Sequence, residues 1–183
     1  MKITSGYEFL TQDRPSSEVM SILGKLPIRW GRMDKLSRLV LFEVGQALKR
    51  DGHLDQQGSR LPSSGTVGLV AGTRRGSLQT DLAYCESLKP GPGQASPALF
   101  SYTLANISLA ETAAHYGLTG PVYNLFSEQP YEDALWEAKR WLATVDYPLQ
   151  IVTGEVDIVP EISPPLISQD KKKYRTSARF TVI

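Results

Sequence analysis

Apolar and polar residues recur at spacings that predict regular structure along most of the chain. From Met33 to Arg50 the apolar residues return every three or four positions, which predicts an amphipathic helix with Lys35 and Arg38 on its polar side. A shorter helix is predicted around Val19–Leu23. The same spacing predicts further helices over Leu78–Leu88, Ser108–Tyr116 and Tyr131–Ala143.

Short apolar runs between these helices predict strands. The predicted strands are Met1–Thr4, Thr66–Ala71, Val122–Phe126, Leu149–Val156 and Ala178–Ile183, with a loop over 157–173. The resulting order, β-α-β-α-β-α-β-β, predicts an α/β fold in which a layered mixed sheet is flanked by helices. The chain has 183 residues and no internal repeat, so we expect a single domain over residues 1–183.

Three details of the helices follow from the pattern. Residues 89–97 (KPGPGQASP) break the helical spacing, and a short helical turn is predicted at Ala98–Tyr102. Ser108 and Glu111 have the spacing of a capping box at the start of a helix. The inward face of the helix over 78–88 is predicted to consist of Leu78, Leu82, Cys85 and Leu88.

Charge and composition exclude several classes of function. The chain has 20 Lys and Arg against 19 Asp and Glu, a net charge of +1, so no nucleic-acid or membrane-surface partner is expected. No apolar run approaches the roughly 18 residues of a membrane span. One cysteine, Cys85, forms no internal disulfide, which fits a cytoplasmic location. One cysteine and two histidines are too few for a dedicated His/Cys metal site, so we expect no metal.

Two segments have the form of a catalytic or cofactor site. GTRRGS, residues 72–77, follows a strand as a phosphate loop does, but it lacks the Lys-Ser/Thr pair, so an ordinary turn and no cofactor are expected. At 127–133 a strand leads into a helix, with Pro130 in the first turn and Gln129 or Ser127 as the N-cap. The nearby carboxylates stabilise a helix start and disfavour an anionic nucleophile; they are Glu128, Glu132 and Asp133.

Four segments together resemble the N-terminal half of a β-ketoacyl-acyl-carrier-protein synthase, a condensing enzyme of the thiolase fold. They are RMDKLSRLVLFEVGQALKRDG (32–52), VGLVAGTRRGSLQTDLAYCESL (67–88), ASPALFSYTLANISLAETAAHYGLTGPVY (95–123) and LQIVTGEVD (149–157). The third segment carries the most specific spacing, at Pro97, Phe100, Thr103, Asn106, Gly117, Gly120 and Pro121. The similarity is closest to the divergent branch that includes chain-length factors.

The departures from this family predict a pseudoenzyme with no catalytic residue. Active synthases carry a cysteine eight residues after the proline that corresponds to Pro121, and here that vestigial nucleophile position is Gln129. The family's catalytic histidines and lysine belong to a C-terminal half that does not occur in residues 1–183. The helix over 131–143 has an apolar stripe on one side and charges on the other, which predicts one buried and one solvated face.

Three functions remain open at this point. The first is a non-catalytic partner in fatty-acid or polyketide-type biosynthesis, a homodimer or a heterodimer with a complete β-ketoacyl synthase, because the resemblance covers the segments through which synthases dimerise. The second is a module that binds an acyl thioester or an acyl carrier protein, and the third is an enzyme that uses the helix start at Gln129. The candidate interface residues are Pro97, Phe100, Tyr102, Asn106, Val122 and Tyr123, with Phe126 left open between interface and core.

Overall fold

The computed structural model describes residues 14–62, 65–160 and 174–183, which form six α-helices and four strands. The helices are α1 (Ser17–Leu23), α2 (Lys35–Arg50), α3 (Leu78–Leu88), α4 (Pro97–Phe100), α5 (Ile107–Tyr116) and α6 (Pro130–Thr144). The strands are β1 (Thr66–Thr73), β2 (Val122–Phe126), β3 (Leu149–Pro160) and β4 (Tyr174–Val182). The predicted strand Met1–Thr4 lies outside the described residues.

The four strands form one mixed sheet in the order β2-β1-β3-β4. Strand β1 is parallel to both of its neighbours, and Leu69 pairs with Val122 on one side and Val152 on the other. Strand β4 is antiparallel to β3. Parallel strands need long crossovers, which the helices between β1, β2 and β3 supply. The predicted α/β fold with a mixed sheet flanked by helices is therefore confirmed.

Helices cover the sheet on both faces. Helices α2 and α5 pack on one face, where Leu39, Val44 and Leu109 are fully buried. Helix α6 packs on the other face through Ala134 and Ala138, which are also fully buried. The predicted division of α6 into a buried and a solvated face is confirmed, since Glu132, Asp133, Lys139 and Arg140 are exposed.

Close backbone contact fixes the start of α6 against β1. A Cβ atom built on Gly72 of β1 would lie 1.9 Å from the carbonyl oxygen of Pro130, the first residue of α6. Only glycine fits at this position, because the obstructing atom belongs to the backbone and not to a flexible side chain. The strand therefore determines where the helix begins.

Asp34 joins two helices through one carboxylate. It caps α2 by accepting a hydrogen bond from the Ser37 N–H at 2.9 Å, and it accepts a second from Thr80 Oγ1 of α3 at 2.6 Å. Burial raises the pKa of Asp34, and the two hydrogen bonds act in the opposite direction. Thr80 is the buried residue of α3, so the Asp34 contact marks the inward side of that helix.

The predicted inward face of α3 is wrong. Leu82 is 45% exposed, Leu88 is 39% exposed and Cys85 is exposed, whereas the polar Thr80 is buried. The apolar residues of α3 do recur with helical spacing, but in the described part of the chain the stripe that they form faces solvent. Exposed apolar residues on one helix face are typical of a surface that meets another molecule.

The solvated position predicted for Arg38 is also wrong. Arg38 is 6% exposed, and its guanidinium lies 4.9 Å from the ring centroid of Trp30 and donates to the Trp30 carbonyl at 2.8 and 3.1 Å. A buried guanidinium needs such partners to offset its lost hydration.

Several predicted boundaries differ from the structure, among them the start of α5 and the end of β3. The capping box at Ser108 does not form: α5 begins at Ile107, and Ser108 Oγ donates to the Ala105 carbonyl at 3.2 Å. Strand β3 continues to Pro160 because residues 157–160 pair with residues 174–177 of β4. The remainder of the predicted loop, 161–173, lies outside the described residues.

Candidate functional site

Two of the predicted interface residues lie on opposite faces of β2. Val122 packs against the core on the α2–α5 side, and Tyr123 packs under α6. The Tyr123 hydroxyl donates to Glu137 at 2.5 Å and accepts from Trp141 Nε1 at 2.5 Å. Burial and the Glu137 hydrogen bond raise the pKa of Tyr123. Tyr123 is thus tied to α6 within this chain.

Glu137, which accepts the Tyr123 hydrogen bond, also bonds to a residue of its own helix. Its carboxylate also receives hydrogen bonds from the Arg140 guanidinium at 2.5 and 2.7 Å. These bonds lower the pKa of Glu137 to about 2. The Glu137 carboxylate therefore has a structural role, because it bonds α6 to Tyr123 of the sheet.

The segment before α5 carries three more of the predicted residues. Pro97 is exposed and begins α4, and Phe100 is 60% exposed with its ring centroid 5.5 Å from that of Tyr84. Tyr102 is different: it is 6% exposed and belongs to the core. Its hydroxyl donates to Glu111 at 3.4 Å, and burial together with the Glu111 charge raises its pKa to about 12. Tyr102 therefore lies inside the chain and not on its surface.

Phe100 and Leu104 before α5 and Phe126 at the end of β2 are exposed apolar side chains, and we call these three residues the apolar rim. Their exposed fractions are 60%, 66% and 67%. A Cβ built on Gly76 would lie 2.7 Å from the Phe126 ring and 3.3 Å from Ala105 Cβ, so the end of β2 packs beside Ala105. Side chains of this size and exposure are typical of protein–protein contacts. Leu104 was missed because a single apolar residue in a loop has no periodicity.

Asn106 connects the start of α5 to the edge strand. Its Oδ1 accepts a hydrogen bond from the Asn124 N–H at 2.8 Å, and the Asn124 side-chain amide donates to the Ala105 carbonyl at 2.6 Å. Asn106 is exposed although it makes this contact. The sequence indicated its position but carried no signal for its partner, which lies 18 residues further along the chain.

The junction at Gln129 is organised as a helix start. Gln129 is the exposed N-cap residue of α6; its side chain makes no capping bond, and its N–H donates to Ser127 Oγ at 2.8 Å. The Ser127 hydroxyl in turn donates to Asp133. The Arg74 guanidinium donates to the Glu128 carbonyl at 2.6 and 2.9 Å, which holds the segment against the end of β1. A glutamine amide supplies neither a nucleophile nor a group that titrates near neutral pH.

The turn at 72–77 does bind an anion, and that anion is part of the chain. The buried carboxylate of Asp157 accepts from Thr73 Oγ1 at 2.7 Å, from the Arg74 N–H at 3.0 and 3.2 Å and from the Arg75 N–H at 2.9 Å. Successive backbone amides of this kind form a nest for negative charge. Asp157 fills the nest in the way that a phosphate fills a phosphate loop, which explains why the motif has a similar form.

The two histidines, a residue type used in acyl-transfer and metal chemistry, have separate partners in the part of the chain that the structure describes. His53 Nε2 lies 3.0 Å from Asp51, and His115 Nε2 lies 2.8 Å from the Leu23 carbonyl oxygen. Burial lowers the pKa of His115. Among the described residues there is no group of three His, Cys, Asp or Glu placed to hold a metal ion. None of the described helices combines the length and apolarity needed to cross a bilayer.

Comparison with solved structures identifies the fold. The structure of the ishigamide ketosynthase/chain length factor superposes with a TM-score of 0.59 and 22% sequence identity, over 72% of this chain and 36% of that chain. The chain has a ketosynthase-like fold. A ketosynthase, ApeO, in complex with its chain length factor, ApeC, from Xenorhabdus doucetiae superposes with a TM-score of 0.54 and 15% identity, over 73% of this chain.

The ketosynthase-like fold found here corresponds to part of the longer proteins. This chain covers 36% of the first neighbour's length and 50% of the second. No protein-family model and no curated protein sequence matches the chain. At these identities the likeness establishes the fold, which is the fold that the sequence resemblance implied.

Proposed function

We propose that this chain is a non-catalytic, β-ketoacyl-synthase-like subunit that associates with a complete ketosynthase in fatty-acid or polyketide-type biosynthesis, in the manner of a chain length factor. The observation that carries the proposal is the apolar rim beside the edge strand β2. Phe100, Leu104 and Phe126 are each at least 60% exposed. The neighbouring structures, a ketosynthase/chain length factor and a ketosynthase in complex with its chain length factor, support this choice of partner.

The chemistry of the helix start supports a non-catalytic role. Gln129 occupies the vestigial nucleophile position, and Asp133 accepts a hydrogen bond from Ser127 at the same helix start. Catalysis of acyl transfer needs a nucleophile, an acid or base and an oxyanion site that converge on one point. At this junction Ser127 instead bonds to Asp133 and accepts the Gln129 N–H, and Arg74 bonds to the Glu128 carbonyl.

The test is association with the complete ketosynthase encoded in the same organism, measured by light scattering on a sizing column. We expect a mixed complex of one copy of each chain. Phe126→Ser should weaken it by about tenfold or more, which corresponds to about 1.4 kcal/mol, because we expect Phe126 to be one of the few side chains that dominate the interface.

Trp136→Ser is the matched control for this experiment. Trp136 is 66% exposed, much as Phe126 is, but it lies on α6 at the opposite face of the sheet. The control should bind like the parent chain. Absence of any complex, or equal weakening by the two variants, would contradict the proposal.

A further inference from the structure

The outer face of α6 carries one large apolar side chain between two pairs of opposite charges. Trp136 is 66% exposed. Glu132 and Asp133 lie one turn before it, Lys139 and Arg140 lie one turn after it, and all four are exposed. Residues spaced by three, four and seven positions share one face of a helix, so these five side chains form a single surface, which we call the α6 outer face.

The charges of the α6 outer face are complementary to those of a second copy. Glu132 and Arg140 lie four positions on either side of Trp136, and Asp133 and Lys139 lie three positions on either side. In an antiparallel contact between two such faces, with a two-fold axis at Trp136, the acidic turn of each copy lies opposite the basic turn of the other. A parallel contact would place like charges together, which is unfavourable.

Helical geometry also determines which charges would meet. Because a turn takes 3.6 residues, Glu132 and Lys139, seven positions apart, lie on one flank of Trp136, and Asp133 and Arg140 lie on the other. A two-fold axis perpendicular to both helices keeps each flank on its own side. The expected pairs between copies are therefore Glu132 with Lys139 and Asp133 with Arg140, and the symmetry makes each of them twice.

The contacts within the chain leave one of these pairs available. Asp133 and Arg140 already bond to residues of their own chain. Glu132 lies 3.6 Å from Arg179 Nη2, and both of these side chains are more than half exposed, so the ion pair contributes little. In the described part of the chain Lys139 takes part in no ion pair. Glu132 and Lys139 are thus the charges most able to pair with a second copy.

We propose that the α6 outer face binds a second copy of this chain in an antiparallel, two-fold contact centred on Trp136. The two Trp136 rings pack against each other on the axis, and the ion pairs lie on both flanks. One helix from each copy buries a small area, so the dimer is weak, with a dissociation constant of about 10–100 µM. The contact uses no residue of the apolar rim and does not depend on the proposed function.

A charge-swap experiment tests the contact by sedimentation velocity over a range of protein concentrations. Glu132→Lys alone and Lys139→Glu alone each place like charges opposite each other twice, and each should weaken self-association about tenfold or more. The two changes combined restore opposite charges and should return the dissociation constant to within about threefold of the parent value. Lys25→Glu, which changes an exposed lysine after α1, is the control for net charge and should self-associate like the parent.

Two results would overturn the proposal. One is a parent chain that stays monomeric at all concentrations measured. The other is a combined variant that self-associates as weakly as the two single variants although its circular dichroism is that of the parent. A merely destabilising effect of the single changes would not be reversed by combining them, so restoration identifies pairing between copies.

Trp136→Ser separates this proposal from the proposed function. It should weaken self-association about tenfold or more and leave ketosynthase binding unchanged, whereas Phe126→Ser should have the opposite effects. If the parent binds no ketosynthase but self-associates with a charge swap that restores binding, the α6 contact stands and the proposed partner is wrong. If the parent binds the ketosynthase and never self-associates, the partner stands and the α6 contact is wrong.

Discussion

Replacing Asp157 by alanine should be strongly destabilising, because three donors lose their acceptor together. The Asp157 side chain lies at the C-terminal end of the strands, where Thr73 Oγ1 and the N–H groups of Arg74 and Arg75 converge on it at 2.7–3.2 Å. Thr73 is 2% exposed and Asp157 is 7% exposed. Water therefore has little access to the group that alanine would leave unpaired.

The magnitude follows from the burial of each donor. A buried polar group left unsatisfied costs about 1–3 kcal/mol. The Thr73 hydroxyl should bear that cost in full, and the two amides, which are partly buried, about half of it each. We expect a loss of about 2–6 kcal/mol, and about 1–2 kcal/mol for Asp157→Asn, which retains one acceptor oxygen.

Urea unfolding followed by circular dichroism measures this loss. Asp146→Ala, at an exposed position after α6, is the control and should change stability by less than about 0.5 kcal/mol. Millimolar phosphate should restore part of the stability of Asp157→Ala and not of the parent, because the emptied nest can accept an external anion. A loss below about 1 kcal/mol for Asp157→Ala, with an unchanged denaturant dependence, would refute the reasoning.

Two further changes test the packing of the helices. Gly72→Ala should cost about 2–3 kcal/mol in thermal unfolding, since the new Cβ would meet the Pro130 carbonyl oxygen, while Gly31→Ala, which has open space around it, should be nearly neutral. His115, bonded to the Leu23 carbonyl, has a pKa lowered by burial, so the unfolded chain binds its proton first and stability should fall as the pH drops below 6.5. His115→Gln should flatten that fall in urea titrations at several pH values; an unchanged slope would exclude His115 as its cause.

The local sequence pattern predicted an element correctly where the structure of that element depends on its own residues. The strand Val122–Phe126 was predicted with its observed bounds, and α6 was predicted within one residue at each end, because apolar spacing and a first-turn proline are properties of the segment itself. The resemblance also indicated the correct fold, since it depended on the order of several such segments.

The errors arose where a partner distant in the sequence decides the outcome. The stripe of Leu82, Cys85 and Leu88 is amphipathic, but the spacing does not state which side of the helix the rest of the chain covers. Tyr102 was a candidate for an interface, whereas Phe126 was left open between interface and core, and only the packing makes the first buried and the second exposed. The contact between Asn106 and Asn124 depends on tertiary structure in the same way.

The carboxylate of Asp157 also has a consequence for the folding pathway. It bonds to Thr73 across 84 positions of the chain, so this contact closes a long loop, and we expect it to form only after β1 and β3 have paired. We expect the contact to be absent from the folding transition state, with a φ value near 0. Replacement of Asp157 by alanine is therefore expected to accelerate unfolding and to leave the folding rate nearly unchanged. The Asp157 carboxylate would then determine the lifetime of the folded state.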